Sequence, residues 1–213
     1  MKILALIPAR MGSSRFPGKP MAKLLGKPMI GHVYERVAQN KQLLLTAVAT
    51  CDTEIADYIH SIGGKAVMTS ESHERASDRC AEALEILEQD LGERFDIVVM
   101  VQGDEPMMRP DMINTILEPF SIKKNILSTV LAMNIDDEKL WENPNTVKII
   151  HNKDGKVLYT SRSPIPYCNE FNINIKAKRI YGIFAFRYSA LKSFTSHEET
   201  FLEQIESCDS NRI

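Results

Sequence analysis

The sequence predicts an α/β fold in three layers, with a mainly parallel central sheet between helices and an antiparallel extension after it. Short apolar runs at 3–8, 44–50, 65–68 and 96–101 are separated by amphipathic stretches at 29–39, 53–62 and 77–90. Strands alternating with helices in this way build a parallel sheet covered on both faces. After about residue 122 the helical spacing gives way to strand patterns at 126–133, 146–151, 156–160 and 180–186, the kind of antiparallel addition that parallel sheets commonly carry. The 213 residues are enough to bury a real core and are read as a single domain with halves at 1–122 and 123–213.

Each element has its own warrant. Ile3 to Ile7 is a short, wholly apolar run, as expected of a buried strand. Thr53 followed by Glu54 suits a helix start. In 77–90, Cys80, Ala83, Leu84, Leu87 and Leu91 recur at spacings of three or four, while Asp78, Glu82, Glu85 and Glu88 fall elsewhere on the helix. Ile97 to Val101 repeats the buried-strand pattern. "IHNKDGKVLY" reads as a hairpin turning at Asn152-Lys153-Asp154-Gly155. "SPIPYCNEFNINIKAK", residues 163–178, has two prolines and little periodicity, and is expected to be an irregular loop or a partner contact.

Composition narrows the function classes. A formal charge of −2 and a pI near 6.2 argue against general nucleic-acid or membrane-surface binding, which needs a clustered excess of Lys and Arg. Cys51, Cys80, Cys168 and Cys208 form no CxxC pair, so reduced, structural thiols are expected rather than a zinc ribbon or disulfide framework. The N-terminal apolar run is too short for a signal peptide and no segment has the length to span a bilayer. A cytoplasmic protein without nucleic-acid partner or membrane insertion is the expectation.

Two local signals then stand out. "IPARMGSSRFPGKP", residues 7–20, follows the first strand and sets Arg10, Arg15 and Lys19 on one loop with Ser13, Ser14, Gly12 and Gly18. It is neither a Walker A loop, since Gly12 and Gly18 enclose five residues and Pro20 follows Lys19, nor a G-x-G-x-x-G turn. Its cations, hydroxyls and glycine-freed backbone N–H groups suit a polyphosphate, and the carboxyl end of a strand is where open α/β sheets bind ligands. The second signal, "VVMVQGDEPMM" at 98–108, delivers Gln102, Gly103, Asp104 and Glu105 to the same edge. Alone, Asp104 reads as a turn or capping residue; beside a polyphosphate loop it becomes a candidate ligand for Mg²⁺, which takes one or two carboxylates together with substrate phosphates. The pair of signals describes a nucleotidyl-transfer site.

With "GKPMIGHVYERV", "NPNTVKII" and "YTSRSPIPY" in the same order, the chain resembles the 3-deoxy-manno-octulosonate cytidylyltransferase (CMP-Kdo synthetase) family over almost its whole length. The resemblance implies a Rossmann-like nucleotidyltransferase fold, with residues 1–122 as the nucleotide-binding half and 123–213 as the sugar-binding and dimerisation half. It implies transfer of CMP from CTP to the anomeric hydroxyl of a 3-deoxy-2-keto sugar acid, with Mg²⁺ as cofactor, in a cytoplasmic homodimer that supplies lipopolysaccharide. By the resemblance, Arg10, Lys19 and Asp104 are catalytic, Asp104 being the metal ligand. Ala9, Arg10, Gly12, Ser13, Ser14, Arg15, Lys19, Ser77, Arg79 and Gln102 bind nucleotide, and Gln102, Arg162 and Asp209 bind the sugar acid. His73, beside a helix start, is read as structural rather than as a general base.

Several positions depart from the family pattern. Ile180 stands where a histidine is usual near the sugar, Asp209 and Ser210 stand where Glu-Gln is common, and Cys51 replaces an aspartate. The sequence runs to Ile213, ahead of the segment in which the family pattern carries a second metal-binding aspartate. A non-catalytic nucleotide-binding relative, a cytidylyltransferase for a nonulosonic acid, and more weakly a sugar-1-phosphate nucleotidyltransferase, remain as alternatives.

Overall fold

A computed structural model describes residues 1–12 and 16–212. In chain order its elements are β1 (Ile3–Ala9), β2 (Lys23–Leu24), β3 (Lys27–Pro28), α1 (Met29–Ala38), β4 (Leu45–Thr50), α2 (Thr53–Ser61), β5 (Lys65–Met68), α3 (Ala76–Leu91) and β6 (Ile97–Val101). They continue with α4 (Pro110–Ile122), β7 (Ser128–Asn134), α5 (Glu138–Glu142), β8 (Lys148–His151), β9 (Val157–Ser161), β10 (Lys178–Arg187), α6 (Tyr188–Ser196) and α7 (Phe201–Glu206). The chain forms two compact units. Met1–Thr129 with Gly182–Thr195 make the first, and Val130–Tyr181 with Ser196–Ile213 the second. The division expected near residue 122 therefore falls after Thr129, and the chain re-enters the first unit at Gly182 because the last part of β10 pairs with β6.

In the first unit the strands run in the order β5, β4, β1, β6, β10. β1 is parallel to β4, with Leu4 opposite Leu45, and parallel to β6, with Ile3 opposite Ile97; β5 is parallel to β4. β10 closes the order antiparallel to β6, with Ile183 opposite Val101. A strand with neighbours on both sides and helices on both faces must be apolar throughout, and β1 and β6 are buried almost end to end. Leu4, Leu6, Ala47, Ala49, Val98 and Met100 point to one face, where they meet Cys80, Ala83, Leu84 and Leu87 of α3. Ile3, Ala5 and Ile7 point to the other, and α1 packs there on β1 and on α4. Full burial of one such side chain contributes roughly 1.5–3 kcal/mol, so this layer is what holds the sheet edge in place.

The expected helix at 77–90 is α3, which ends where Gly92 takes a left-handed φ of 64°. α4 starts at Pro110, a residue suited to a first helical turn because its missing N–H would have no partner there. A small hairpin, β2 with β3, was not among the expected elements; it turns through Leu25 (φ 52°) and Gly26 (φ 84°), and Leu25 carries no glycine signal for such a turn.

In the second unit β8 pairs antiparallel with β9 and with the start of β10, while β7 also pairs with β10. The expected hairpin turn is present: Asn152 Oδ1 accepts from the backbone N–H of Asp154 and of Lys156 at 3.0 and 2.9 Å, and Gly155 supplies φ 81°. Segment 163–178 is irregular up to the start of β10 apart from one 3-10 turn, Ile173–Ile175, and it packs on the fold. Cys168, Phe171 and Ile175 pack around a small core of Ile135, Trp141 and Ala177, and Trp141 donates its indole N–H to the carbonyl of Ile165 at 3.1 Å. Tyr167 and Ile173 of this segment are exposed. No described helix is long and apolar enough to cross a membrane.

Candidate functional site

Because β4, β1 and β6 are parallel, their carboxyl ends at Thr50, Ala9 and Val101 lie along one edge. The chain leaves that edge as Arg10, Asp52 and Gln102. Ala9 is buried at its strand end, Arg10 and Gly12 are exposed, and Ser13, Ser14 and Arg15 lie outside the described residues. The loop closes on itself where the N–H of Gly18 donates to the carbonyl of Met11 at 2.9 Å, with Gly18 at a φ of 72° that a side chain would strain. Asp52 Oδ2 accepts the Met11 N–H at 2.8 Å, so this carboxylate anchors the loop instead of capping α2. Lys19 opens a single 3-10 turn, Lys19–Met21, and its Nζ lies 2.5 Å from Asp104 Oδ2.

Asp104 sits in a tightly held turn. A Cβ on Gly103 would come within 2.9 Å of the Pro8 carbonyl, so only glycine lets the turn lie against β1. The Gln102 N–H donates to the Gly182 carbonyl at 2.8 Å, and Glu105 Oε1 accepts the Gly182 N–H at 3.2 Å. Asp104 itself is two-fifths exposed. Among the described residues no group of three His, Cys, Asp or Glu could hold a metal. A single accessible carboxylate whose near partner is a phosphate-seeking lysine fits Mg²⁺ arriving with a polyphosphate, because that ion takes few protein ligands and fills the rest from phosphate and water.

At the start of α3 the two nucleotide ligands implied by the resemblance are buried. Ser77 and Arg79 are 1% and 2% exposed. The Arg79 guanidinium donates to Thr69 Oγ1 at 2.6 Å and to the carbonyls of Ser70 and His73 at 3.2 Å each. It thereby ties down the loop that follows β5. His73 Nε2 lies 2.6 Å from Glu82 Oε2, which also accepts the Ser70 N–H, so His73 shares the same loop-holding cluster.

In the second unit Arg162 donates through Nε to the Glu206 carbonyl at 2.6 Å, and through its terminal nitrogens to the carbonyls of Pro144 and Ser207 at 2.8 and 3.2 Å. A sugar carboxylate would have to share this guanidinium with the fold. Glu206 accepts from Tyr159 Oη, Ser161 Oγ and the Arg162 N–H. Burial alone would raise the Glu206 carboxyl, but those hydrogen bonds and the Arg162 charge outweigh it and hold its pKa below the ordinary value. The wholly buried Lys148 ammonium bonds the carbonyls of Asn143 and Arg162 at 2.9 and 2.6 Å; burial first, and the Arg162 charge second, lower its pKa. Asp209 is half-buried in a terminal 3-10 turn, and Ile180 spends its N–H on the Val147 carbonyl at 2.9 Å.

A folded-state pKa lowered below the unfolded value means that the Glu206 contribution to stability is fully present above about pH 4.3 and is lost as pH falls through the lower, folded value. Wild type is therefore expected to melt above Glu206→Gln at neutral pH and to converge with it on acidification, as differential scanning calorimetry would read. A melting difference that widened on acidification would refute the assignment.

Residues 4–213 match a family model described as cytidylyltransferase. The 3-deoxy-manno-octulosonate cytidylyltransferase of Syntrophus aciditrophicus is 41% identical over 211 residues, 99% of this chain and 84% of that protein. The protein of the same name from Thermodesulfovibrio yellowstonii is 41% identical, covering 100% of this chain and 86% of its own length. Among solved structures, CMP:2-keto-3-deoxy-manno-octonic acid synthetase complexed with CTP superposes with a TM-score of 0.87 at 37% identity, over 100% of this chain and 85% of that one. A cytidylyltransferase from Leptospira borgpetersenii, 19% identical with a TM-score of 0.60 and covering 99% of this chain and 73% of its own, shares the fold.

Proposed function

Because this chain belongs to the cytidylyltransferase family, among the 3-deoxy-manno-octulosonate cytidylyltransferases, we propose that it transfers CMP from CTP to the anomeric hydroxyl of 3-deoxy-manno-octulosonate. The observation that carries this reading is the meeting of Lys19 and Asp104 at the carboxyl edge of the sheet, with Arg10 leaving the same edge. The anomeric oxygen forms a bond to the α-phosphorus of CTP. The bond from that phosphorus to the bridging oxygen breaks, pyrophosphate leaves with the electron pair, and the hydroxyl proton passes to solvent. Negative charge grows on the leaving group, and on this reading Lys19 and Arg10 neutralise it. Asp104 would hold Mg²⁺, which when bound adds a second positive centre on the phosphate oxygens. No side chain needs to become a covalent nucleophile. Lys19 and Asp104 pair with each other, and on this reading a phosphate oxygen competes with the carboxylate for the lysine.

Incubation of the protein with CTP, Mg²⁺ and the sugar acid should release pyrophosphate and form the CMP-sugar. CTP binding by calorimetry with no turnover, for this acid or for its amino-modified and nonulosonic counterparts, would favour a non-catalytic nucleotide-binding role. Ile180 makes the panel informative, since an aliphatic side chain at that place offers no hydrogen bond to a sugar hydroxyl. The reading extends to a cytoplasmic homodimer in lipopolysaccharide synthesis, with the exposed Tyr167 and Ile173 in the contact between copies. Sedimentation as a monomer at micromolar concentration would reject the dimer.

A further inference from the structure

We propose that Glu105 is a positioning residue: its carboxylate caps the N–H of Gly182 and so fixes the turn that aims Asp104 at Lys19. The inference rests on the transfer reading above, since it assigns Asp104 the metal. Strands β6 and β10 pair antiparallel up to Val101 opposite Ile183. One step further, the Gln102 N–H still donates to the Gly182 carbonyl at 2.8 Å. In a regular ladder the Gly182 N–H would return that bond to the carbonyl of the facing residue. Here it goes to Glu105 Oε1 at 3.2 Å, while the carbonyl of Gln102 is taken by the N–H of Glu105 at 3.2 Å. The Glu105 side chain thus stands in for a backbone carbonyl that the turn has used for itself.

The result is that both neighbours of the Gly103-Asp104 pair are anchored to one residue, Gly182. Gln102 is held through its N–H and Glu105 through its carboxylate, and the close approach of Gly103 to the Pro8 carbonyl presses the turn against β1. Gly182 completes the arrangement by having no side chain. A Cβ there would lie 2.8 Å from Gln102 Oε1 and 3.0 Å from Glu105 Oε1, so both side chains would have to shift to admit it. Asp104 is the one member of the turn left two-fifths exposed, which is the state a metal ligand requires.

Three substitutions separate reach from charge. Glu105→Gln keeps an oxygen at the same reach and loses the charge; Glu105→Asp keeps the charge and withdraws the oxygen by one methylene; Glu105→Ala removes both. The readout is binding of Mn²⁺ to the protein in the presence of CTP without sugar acid, followed by electron paramagnetic resonance, alongside thermal melts. Loss of the bond should weaken Mn²⁺ binding about tenfold in Glu105→Asp and Glu105→Ala, with Glu105→Gln within about twofold of wild type. If Glu105→Gln falls as far as Glu105→Asp, or if neither differs from wild type, the positioning role is wrong. If Glu105→Ala does not fold, the Gln and Asp pair decides alone. Wild type that binds no Mn²⁺ with CTP would overturn the metal reading of Asp104 itself, a failure distinct from that of Glu105.

Discussion

Asp104→Asn is expected to lower turnover by about 10²–10³, the scale on which removal of one preorganised electrostatic partner acts, while leaving the melting temperature almost unchanged. Both parts follow from its surroundings. The carboxylate is two-fifths exposed and its partner Lys19 about one-third, and ion pairs this open contribute about 0–1 kcal/mol to stability. The amide keeps the size of the side chain and loses the charge that a divalent cation needs. Steady-state pyrophosphate release at saturating Mg²⁺, with calorimetric melting alongside, measures the two separately. Turnover equal to wild type would remove Asp104 from the reaction.

Breaking the Glu203–Arg212 pair is expected to have the largest effect on stability, about 3–5 kcal/mol for Glu203→Gln or Arg212→Met. The guanidinium meets the carboxylate through two bonds of 2.9 and 2.7 Å, with the side chains 0% and 3% exposed. Removing either partner strands a buried charge. Replacing both, as Glu203→Leu with Arg212→Met, should recover most of the loss, because a pair of apolar residues of similar volume needs no desolvation. Urea unfolding should show an earlier transition for each single variant and its reversal in the double one. Such a pair matters in the second unit, where the apolar cluster found among the described residues is small, built on Ile135, Trp141 and Ala177. Equal destabilisation in single and double variants would show that the charges are not compensating each other.

The parallel half of the fold was legible because burial on both faces forces β1 and β6 to be apolar throughout, and because α3 keeps its leucines at a helical period. The hairpin at Asn152–Gly155 was legible because its turn chemistry is local. α5 and α7 were not: five and six residues are too few for a period to emerge, and their stability comes from packing and capping rather than propensity. At the site, Lys19 and Asp104 were readable from loop composition and strand position. The role of Asp52 was not, since its partner Met11 is 41 residues away, and a carboxylate beside a helix start reads as a cap. The hydrogen bonds that hold Arg79 were not legible either, since nothing in the local sequence reveals that Thr69, Ser70 and His73 accept from its guanidinium. The burial of Lys148, a charge on a strand, was not legible, because its partners are the carbonyls of Asn143 and Arg162.

β10 serves two ladders with one ribbon of chain: Lys178 and Arg179 face β8, and Ile183 to Arg187 face β6. Side chains alternate sides along a strand, so deleting or inserting one residue between these stretches would turn one set inside out relative to the other. Such a change could not be absorbed as a loop-length variation, because there is no loop there to lengthen. Homologous chains should therefore tolerate substitutions across 178–187 far more readily than any change in its residue count.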